Sequence, residues 1–420
     1  MSRAAAEAGG DGGAGLSRAA AEAADTADPL AHFRDRFVHS DERIYLDGNS
    51  LGRLPVATRD RLAAMTAQWG ERLVGGWPEW IDAPVRTGDL VAQVVGAGPG
   101  EVLVCDSTTV NLFKLVCATL DARGAGALVT DRGNFPTDRH VLEGIAAQRG
   151  LELQLFDGEP DAATLPCGKG DVVVLSQVGY RSGALADLPA LQAAARERGA
   201  TLIWDLSHSA GAVPVDLRAA GAELAVGCTY KYLNAGPGAP AYLYVAADLQ
   251  AALRSPIWGW FGQREQFAME RDYDPEPDIR RFLAGTPPIL GLAAVEEGAR
   301  LTAQAGIAAL RAKSTRLTEL LVALHDEWLA PLGFELASPR EPSRRGSHVA
   351  LRHPRAWQIT RALIERRDVI PDFRGPDSVR LGIAPLYTRH VDVWDALDRL
   401  RDLVERGDHE AVDATPGRVT

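Results

Sequence analysis

Two residues in the middle of the sequence have the types and settings that covalent carbonyl chemistry requires. Asp205 ends an apolar run and is followed closely by His208, and Lys231 lies further on in the aromatic segment 229–234, with glycines just behind it. Desolvation in such apolar surroundings lowers the pKa of a lysine and leaves a nucleophilic amine. The pair therefore predicts a reactive site rather than two surface charges.

An Asp at the end of one strand and a Lys after the next are the pair that a pyridoxal phosphate (PLP) site requires. The lysine holds the cofactor aldehyde as a Schiff base, and the acid keeps the pyridine nitrogen protonated so that the ring can accept electrons. Taken singly, Asp205 could be a strand-end cap and Lys231 a solvated loop cation. Taken together, they favour a PLP-dependent enzyme.

The elements around this pair alternate between short β-rich runs and helical patterns. Several runs are continuously apolar, as a sheet covered on both faces requires. The clearest helix follows Asp187, with Pro189 in its first turn and Gly199 after its end. This alternation predicts an α/β domain with a mostly parallel sheet. The predicted strands are 102–105, 128–130, 153–156, 172–176, 202–205, 224–228 and 241–245.

The remaining segments suggest a division of the chain into a large domain, a smaller one and flanking pieces. The N-terminal residues lack large side chains, so we predict a disordered tail there, with helical patches such as 19–24. A long helical pattern later in the chain predicts a connecting helix into a smaller α+β domain. The predicted boundaries are 1–28 for the tail, 29–60 for an N-terminal arm, 61–290 for the large domain, 291–329 for the connecting helix and 330–410 for the small domain.

Composition narrows the classes of partner. The chain of 420 residues has 45 Lys plus Arg against 56 Asp plus Glu, a net charge of −11 that argues against a nucleic-acid partner. Its 4 cysteines are scattered, without metal-ligand spacing, which argues against a zinc site or a disulfide framework. No apolar run has the length of a bilayer span, and no signal-peptide core is visible. We therefore expect a cytoplasmic protein without metal or membrane partners.

From about residue 30 to 405 the chain resembles the kynureninases, fold-type-I PLP enzymes of the aspartate aminotransferase superfamily. The order and spacing of short segments carry this resemblance. It implies a PLP-dependent transferase-like (fold type I) large domain with a mostly parallel sheet, followed by a smaller C-terminal α+β domain. The segments are 45–52, 108–112, 134–138, 205–208, 230–234, 259–262, 286–289 and 380–387.

The resemblance implies a role for each residue of a cofactor site. Lys231 would form the Schiff base and remove the substrate Cα proton, while Asp205 would pair with the pyridine nitrogen. Phe135 would lie against the ring, and the helix N-terminus at Thr108 and Thr109 would bind the phosphate. The other cofactor contacts would come from Asp138, Ser176 and His208 at the ring edge, and from Tyr230, Trp260 and Thr286 around the phosphate, the last two from the neighbouring subunit.

Several of these residues also have ordinary structural interpretations. Phe135 and Trp260 could be core aromatics, Ser176 a strand-end hydroxyl, and Thr108 a helix cap. A lone strand arginine such as Arg380 more often forms a surface salt bridge. These alternatives remain open at the level of the sequence.

The substrate contacts implied by the resemblance lie in other segments. Arg380 would place its planar guanidinium as a fork on the substrate α-carboxylate. Asn49 and Ser50 would form a loop that closes near the same group. Trp77, or Trp80 if the alignment shifts, stands where forms that prefer 3-hydroxykynurenine carry a His. Thr286 stands where those forms carry an Asn, so we expect a preference for L-kynurenine.

The implied activity is hydrolysis of L-kynurenine, and more weakly of 3-hydroxykynurenine, to anthranilate and L-alanine by Cβ–Cγ cleavage. Tyr230 is the candidate proton relay for the later steps. The implied context is tryptophan catabolism through the kynurenine pathway, toward NAD biosynthesis. Because this superfamily builds each site from two subunits, we expect an obligate homodimer with shared active sites.

Three other functions fit parts of the pattern. Cysteine desulfurases and selenocysteine lyases share the scaffold but need a reactive cysteine in the C-terminal part, and the last cysteine here is Cys228. An aminotransferase would use the same Asp205 and Lys231. A catalytically silent PLP-binding regulator would have no chemical reason to keep these two residues together with Arg380.

Overall fold

The computed structural model describes residues 16–124, 126–269 and 272–415, which form a large α/β domain and a smaller domain. The helices are α1 (Arg18–Thr26), α2 (Val56–Arg72), α3 (Trp77–Trp80), α4 (Ala83–Val95), α5 (Thr108–Arg123), α6 (Pro136–Arg149), α7 (Leu188–Glu197), α8 (Ile289–Ala305), α9 (Ile307–Leu324), α10 (Ala356–Arg366) and α11 (His390–Glu405). The strands are β1 (Ile44–Tyr45), β2 (Val102–Val104), β3 (Leu128–Asp131), β4 (Leu153–Phe156), β5 (Val172–Ser176), β6 (Thr201–Asp205), β7 (Leu224–Gly227), β8 (Tyr242–Val245), β9 (Glu335–Leu336), β10 (His348–Arg352), β11 (Val369–Ile370), β12 (Asp372–Arg374) and β13 (Ser378–Gly382).

A seven-stranded sheet with the order β2-β8-β7-β6-β5-β3-β4 forms the centre of the large domain. Only β8 runs antiparallel to its neighbours, so the sheet is mostly parallel. Helices α4, α7 and α8 cover one face of the sheet, and α5 and α6 cover the other. This two-sided cover explains why the strands are continuously apolar. All seven predicted strands are confirmed, each to within about one residue at either end.

The helix predicted after Asp187 is also confirmed. The Asp187 side chain accepts a hydrogen bond from Ala190 N at 3.0 Å and caps α7, and a proline occupies its first turn. The single connecting helix predicted over 291–329 is wrong, because Gly306 adopts a φ of +78° and separates α8 from α9. A left-handed residue cannot continue an α-helix, and glycine takes that conformation at no steric cost. Helix α8 therefore packs in the large domain and α9 in the small one.

The small domain is built on a four-stranded antiparallel sheet with the order β12-β13-β10-β9. Helices α9, α10 and α11 contribute to the same hydrophobic core. The predicted N-terminal arm joins this domain, because β1 pairs in parallel with β11 and places Ile44 and Leu46 in that core. The N-terminal arm and the C-terminal part of the chain thus meet in one domain.

The prediction of a disordered tail is wrong for residues 16–28, whereas the helical patch 19–24 is confirmed within α1. Helix α1 lies along α11, and the Asp25 carboxylate accepts hydrogen bonds from the N–H groups of His390 and Val391 at the start of α11. These charge-assisted bonds satisfy N–H groups that a helix start leaves unpaired, and composition does not reveal them. Residues 1–15 of the predicted tail lie outside the described residues.

A buried ion pair fixes the segment after α1 and yields a stability prediction. Lys313 Nζ lies 2.6 Å from Asp28 Oδ2, with side chains only 3% and 2% exposed. We expect Asp28→Asn to lower the free energy of unfolding by about 3 kcal/mol, because it leaves a buried ammonium without its counter-charge. Urea titration measures this loss. The control is Arg59→Ala, which breaks the exposed Arg59–Asp60 pair and should cost under about 0.5 kcal/mol. Equal effects of the two substitutions would contradict the prediction.

Candidate active site

The carboxyl ends of the parallel strands gather polar side chains at one edge of the large sheet. Ser176 at the end of β5 and Asp205 at the end of β6 are direct neighbours in the strand register. The segment after β7 brings in Lys231, and Phe135 and Asp138 stand at the start of α6, after β3. Ligands bind at this edge in open α/β sheets because the strand ends leave a crevice there. The sequence-predicted residues therefore come together where the topology places a site.

Lys231 differs in its surroundings from the other lysines of the chain. The sequence contains four lysines, of which Lys114 and Lys313 are paired with carboxylates and Lys169 is exposed. Lys231 is only 8% exposed, and its Nζ lies 3.1 Å from His208 Nε2. Burial lowers the pKa of Lys231. The site thus holds an amine that loses its proton readily and can act as a nucleophile.

Two histidines stand beside this amine as neutral groups. Burial and the charge of Lys231 hold the pKa of His208 well below its ordinary value. His348, on β10, lies 5.6 Å from His208 between ring centroids, and burial likewise lowers its pKa. Neither ring nitrogen of His348 has a hydrogen-bond partner among the described residues. The sequence analysis missed His348 because β10 belongs to the other domain.

A pair of acids lies at the strand ends behind the lysine. Asp138 is 2% exposed, and its Oδ2 is buried without a partner among the described residues. Burial, together with the negative charge of Asp205, raises the pKa of Asp138 well above its ordinary value. One oxygen of Asp205 accepts from Ser207 N at 2.8 Å. Two neighbouring buried carboxyl groups favour a ligand with a cationic N–H group. A protonated pyridine ring offers such a group, so these residues fit PLP.

An asparagine that the sequence analysis did not select holds the next part of the site together. Asn134 Oδ1 accepts from Ser176 Oγ and from Phe135 N, both at 2.7 Å. The Phe135 ring is 36% exposed, contacts Tyr180 edge-on at 5.2 Å and has Lys231 Nζ 5.8 Å from its centroid. Phe135 is therefore not a core aromatic, and its ring is available for a flat ligand beside the lysine. Only the position of Asn134 inside a family segment signalled its importance.

The N-terminus of α5 offers donors for an anion. Helix α5 begins at Thr108, and the Ser107 hydroxyl accepts from Val110 N at 3.3 Å. Ser107 is the cap, so the interpretation of Thr108 as the helix cap is wrong. Thr108 and Thr109 occupy the first turn, where free N–H groups and the helix dipole favour a phosphate. Their role as phosphate ligands is compatible with this position.

Arg380 lies in a closed polar pocket at the domain boundary. It is 1% exposed, so the alternative of a surface salt bridge is wrong. Its Nη1 donates to Tyr180 O at 2.6 Å, and its Nη2 donates to Ser50 Oγ at 3.0 Å and pairs with Asp372. With the oxygen and nitrogen of its side-chain amide exchanged, Asn49 accepts a hydrogen bond from Arg380 Nε at 2.8 Å. The structure thus brings Asn49 and Ser50 to the predicted carboxylate-binding arginine.

Close backbone approach links this pocket to the lysine segment. Gly52 N donates to Tyr230 O at 2.8 Å, and a Cβ at Gly52 would stand 2.4 Å from Lys231 O. A Cβ at Gly382 would come within 1.7 Å of the Asn49 side-chain amide. Only glycine allows the N-terminal turn to pack against both the lysine segment and β13.

Three predicted site residues lie apart from this cluster within the chain. Trp77 packs against Phe261 and Trp80, with ring centroids 5.9 Å away in each case. Trp260 is 39% exposed and Thr286 is exposed, so Trp260 is not a core aromatic. Within the described chain, none of the three makes a hydrogen bond or ring contact with the Lys231 cluster.

The described residues also limit two other kinds of site. No group of three or more His, Cys, Asp and Glu side chains in them is placed to hold a metal ion. Across the same residues, the helices are too short or too polar for any of them to span a bilayer.

Comparison with known sequences gives consistent matches. Residues 310–400 match the family profile of the kynureninase C-terminal domain. A kynureninase of Burkholderia pseudomallei (strain K96243) is 44% identical over 401 residues, which cover 92% of this chain and 95% of that protein. A kynureninase of Pseudomonas fluorescens is 44% identical over 394 residues, covering 91% of this chain and 94% of that protein.

Comparison with solved structures confirms the predicted fold class. A mutant of C-DES with glycine covalently linked to its PLP cofactor has a TM-score of 0.77 at 17% identity, over 88% of this chain and 99% of that one. The apo cysteine desulfurase of Thermococcus onnurineus NA1 has a TM-score of 0.76 at 18% identity, over 89% and 98%. At such identities the likeness concerns the fold alone.

The surroundings of the lysines predict which of them captures an aldehyde cofactor. After incubation with PLP and borohydride reduction, peptide mass spectrometry should find the label on Lys231, whose burial lowers its pKa. Lys231→Ala should reduce trapping to background. The control is Lys169→Ala, which removes an exposed lysine and should leave the label unchanged. A label on Lys169, or one that persists in Lys231→Ala, would show that the amine has been misassigned.

Proposed function

The chain belongs to the kynureninase family, and on that basis we propose that it hydrolyses L-kynurenine, and more weakly 3-hydroxykynurenine, to anthranilate and L-alanine. It is a PLP-dependent hydrolase that acts on a carbon–carbon bond. The observation that carries this proposal is the buried amine of Lys231 beside the acid pair Asp138 and Asp205. These are the side chains that a family member needs for its cofactor.

Different side chains of the protein are proposed to contact different parts of the cofactor. When bound, PLP supplies an electron sink that stabilises negative charge at the substrate Cα and at the carbon beyond it. Asp205 holds the pyridine nitrogen, with Asp138 beside it, and Phe135 covers the ring. The first turn of α5, with Thr108 and Thr109, binds the phosphate.

The pKa shifts of buried side chains indicate which groups accept protons and which donate them. Lys231 takes the Cα proton, because burial has lowered its pKa and leaves an amine able to accept one. His208, neutral for the same reason, lies within hydrogen-bond reach of that amine. Burial raises the pKa of Tyr230, so its phenol keeps its proton and can donate it in the later steps. Ser176 and His208 are proposed to hold the ring edge of the cofactor.

The substrate is held at its carboxylate end by Arg380, with Asn49 and Ser50 beside it. These contacts fix the amino acid across the domain boundary, which orients the Cα–H bond and keeps water from the carboxylate. Trp77 and Thr286 are proposed to favour the unhydroxylated aromatic ring, with Trp80 as the other candidate for the first position. Tryptophan catabolism, the kynurenine pathway, NAD biosynthesis and a cytoplasmic location stay predictions.

The competing functions find less support in the structure. A desulfurase needs an accessible thiol on a mobile segment, whereas Cys105, Cys117 and Cys228 are buried, and Cys167 lies in the large domain. An aminotransferase would use the same Lys231, so amino transfer to a keto acid is its discriminating assay. A silent regulator has no use for an activated amine.

A homodimer with shared sites accounts for the residues that lie apart from the lysine cluster. Trp260 is 39% exposed and has Phe267 6.0 Å away between ring centroids. Other large apolar side chains are also exposed, among them Phe267, Met269, Leu73 and Val74, at 63% or more. Trp260 and Phe267 together expose an apolar patch, as subunit interfaces do. In the proposed dimer, Trp260 and Thr286 complete the phosphate shell of the partner's site.

The first test of the function follows product formation. The PLP-loaded enzyme should release fluorescent anthranilate from L-kynurenine, with kcat/KM about tenfold or more above that for 3-hydroxykynurenine, because the proposed contacts of Trp77 and Thr286 favour the unhydroxylated ring. Lys231→Ala is the inactive control. Faster turnover of the hydroxylated substrate would contradict the preference, and keto-acid-dependent turnover without anthranilate would contradict the function.

The second test asks whether sites are shared between subunits. The Trp260→Ala/Thr286→Ala double variant and Lys231→Ala should each be nearly inactive alone. Co-expressed, the unfractionated mixture should regain about a quarter of wild-type activity, because half of randomly paired dimers are hybrids and each hybrid has one intact site. Isolated hybrids should therefore have about half of wild-type activity per dimer. Activity is measured by anthranilate release after isolation of differently tagged hybrids. No recovery in isolated hybrids would mean that Trp260 and Thr286 act within their own chain.

A further inference from the structure

The pocket around Arg380 contains more negative charge than a receptor for a carboxylate would be expected to hold. Asp372 stands directly opposite Arg380 in the β12–β13 register, and the two side chains are each 1% exposed and paired. Ser50 Oγ donates to Asp372 Oδ2 at 3.0 Å, and Arg374 Nη2 lies 3.0 Å from the same oxygen. Asp372 therefore fixes the guanidinium of Arg380 and offsets part of its charge.

A second acid, Asp47, stands on the N-terminal turn that carries Asn49 and Ser50, and its backbone forms a bridge with Gly382 at the end of β13, two residues after Arg380. Its Oδ1 is buried and has no hydrogen-bond partner among the described residues. Burial first, and then the charge of Asp372, raise the pKa of Asp47 to about 7, against the opposing effect of Ser50, Arg380 and Arg374. The proposed mechanism assigns no task to this carboxyl group.

Asp47 is the member of this pocket whose charge changes near neutral pH. Among the described residues around it, burial raises the pKa values of the tyrosines further, so these phenols stay neutral there. With Asp47 protonated, Arg374 and Arg380 face the single carboxylate of Asp372 and the pocket is cationic. With Asp47 ionised, these four charges cancel. The titratable and charged groups that face it are Tyr45, Tyr232, Tyr387, Asp372, Arg374 and Arg380, and Arg53 lies over the rings of Tyr45 and Tyr387.

We propose that Asp47 is a positioning residue that controls the affinity of the site for the substrate α-carboxylate, because its ionisation removes the net positive charge around Arg380. The proposal rests on the proposed function, which brings a carboxylate to Arg380. Asp372 supplies a permanent negative charge that holds Arg380 in place. Asp47 supplies a second negative charge only when it is ionised.

The sign of the pH dependence follows from linkage. The folded-state pKa of Asp47 is raised, so the neutral form predominates below about pH 7 and the carboxylate above it. A bound carboxylate disfavours a second negative charge beside it and therefore binds together with the proton on Asp47. Affinity for carboxylate ligands must consequently fall as the pH rises through this range.

The test uses the PLP-loaded enzyme and a probe that cannot react with the cofactor. The probe is 4-(2-aminophenyl)-4-oxobutanoate, the substrate without its α-amino group, and isothermal titration calorimetry gives its Kd. Between about pH 6 and about pH 8.5 we expect the wild-type Kd to rise about tenfold. In Asp47→Asn, which keeps the shape of the neutral acid, the Kd should stay near the wild-type value at low pH. Asp47→Glu should restore a rise with pH.

Two controls separate this effect from general changes in the protein. Asp41→Asn removes a 71% exposed acid of the same arm and should keep the wild-type profile. The primary amide of the probe should show no rise with pH in the wild type, because it brings no negative charge to Arg380. This comparison needs no variant, so it decides the matter even if Asp47→Asn fails to fold.

Each outcome bears on the proposal. A flat wild-type profile, equal slopes for the acid and its amide, or an unchanged slope in Asp47→Asn would overturn it. Anthranilate release from L-kynurenine is measured in parallel. Normal turnover with a Kd that does not change with pH would contradict only the role of Asp47. Absence of turnover with a pH-dependent Kd for the probe would contradict only the proposed function.

Discussion

The site depends on the cost of burying the amine of Lys231 without a carboxylate partner. The chain's two other buried lysines each pair with an acid, at 2.5 Å for Lys114 and 2.6 Å for Lys313. Lys231 instead has the neutral imidazole of His208 at 3.1 Å. Removing an ammonium from water without compensation is unfavourable, so the uncharged amine gains in stability. The same exclusion of water raises the pKa of Asp138, so that this acid can stay neutral beside Asp205. The fold thereby brings an amine able to act as a nucleophile and a pair of acids to one strand edge.

The second half of the site arises from contact between the two domains. Arg380 belongs to the small domain, yet its Nη1 donates to Tyr180 O in the large one at 2.6 Å. Tyr180 in turn contacts Phe135, whose amide is fixed by Asn134. The proposed carboxylate pocket and the proposed cofactor face are therefore parts of one packed network. A displacement of the small domain would change both at once.

Much of this arrangement could be predicted from local sequence patterns. The features that could not be predicted all depend on contacts between distant segments. Continuous apolar runs identified the strands, and polar residues directly after them identified Asp205 and Lys231. Asp372 and Asp47 escaped because their importance comes from a meeting of distant segments. Asp47 lies inside the family segment 45–52, but the sequence does not show that its carboxyl group is buried. The docking of helix α1 was missed for the same reason, since its alanine-rich composition predicts a helical patch but does not show that Asp25 caps another helix.

The pairing of β1 with β11 sets an order of events during synthesis. Ile44 and Tyr45 leave the ribosome long before their partners Val369 and Ile370 are synthesised. The strands of the large sheet all lie between these two segments, so that sheet can form first on the nascent chain. The N-terminal arm must wait unpaired until then. Because Asn49 follows β1 on this arm, a ribosome-bound chain has its reactive lysine before it has its carboxylate pocket.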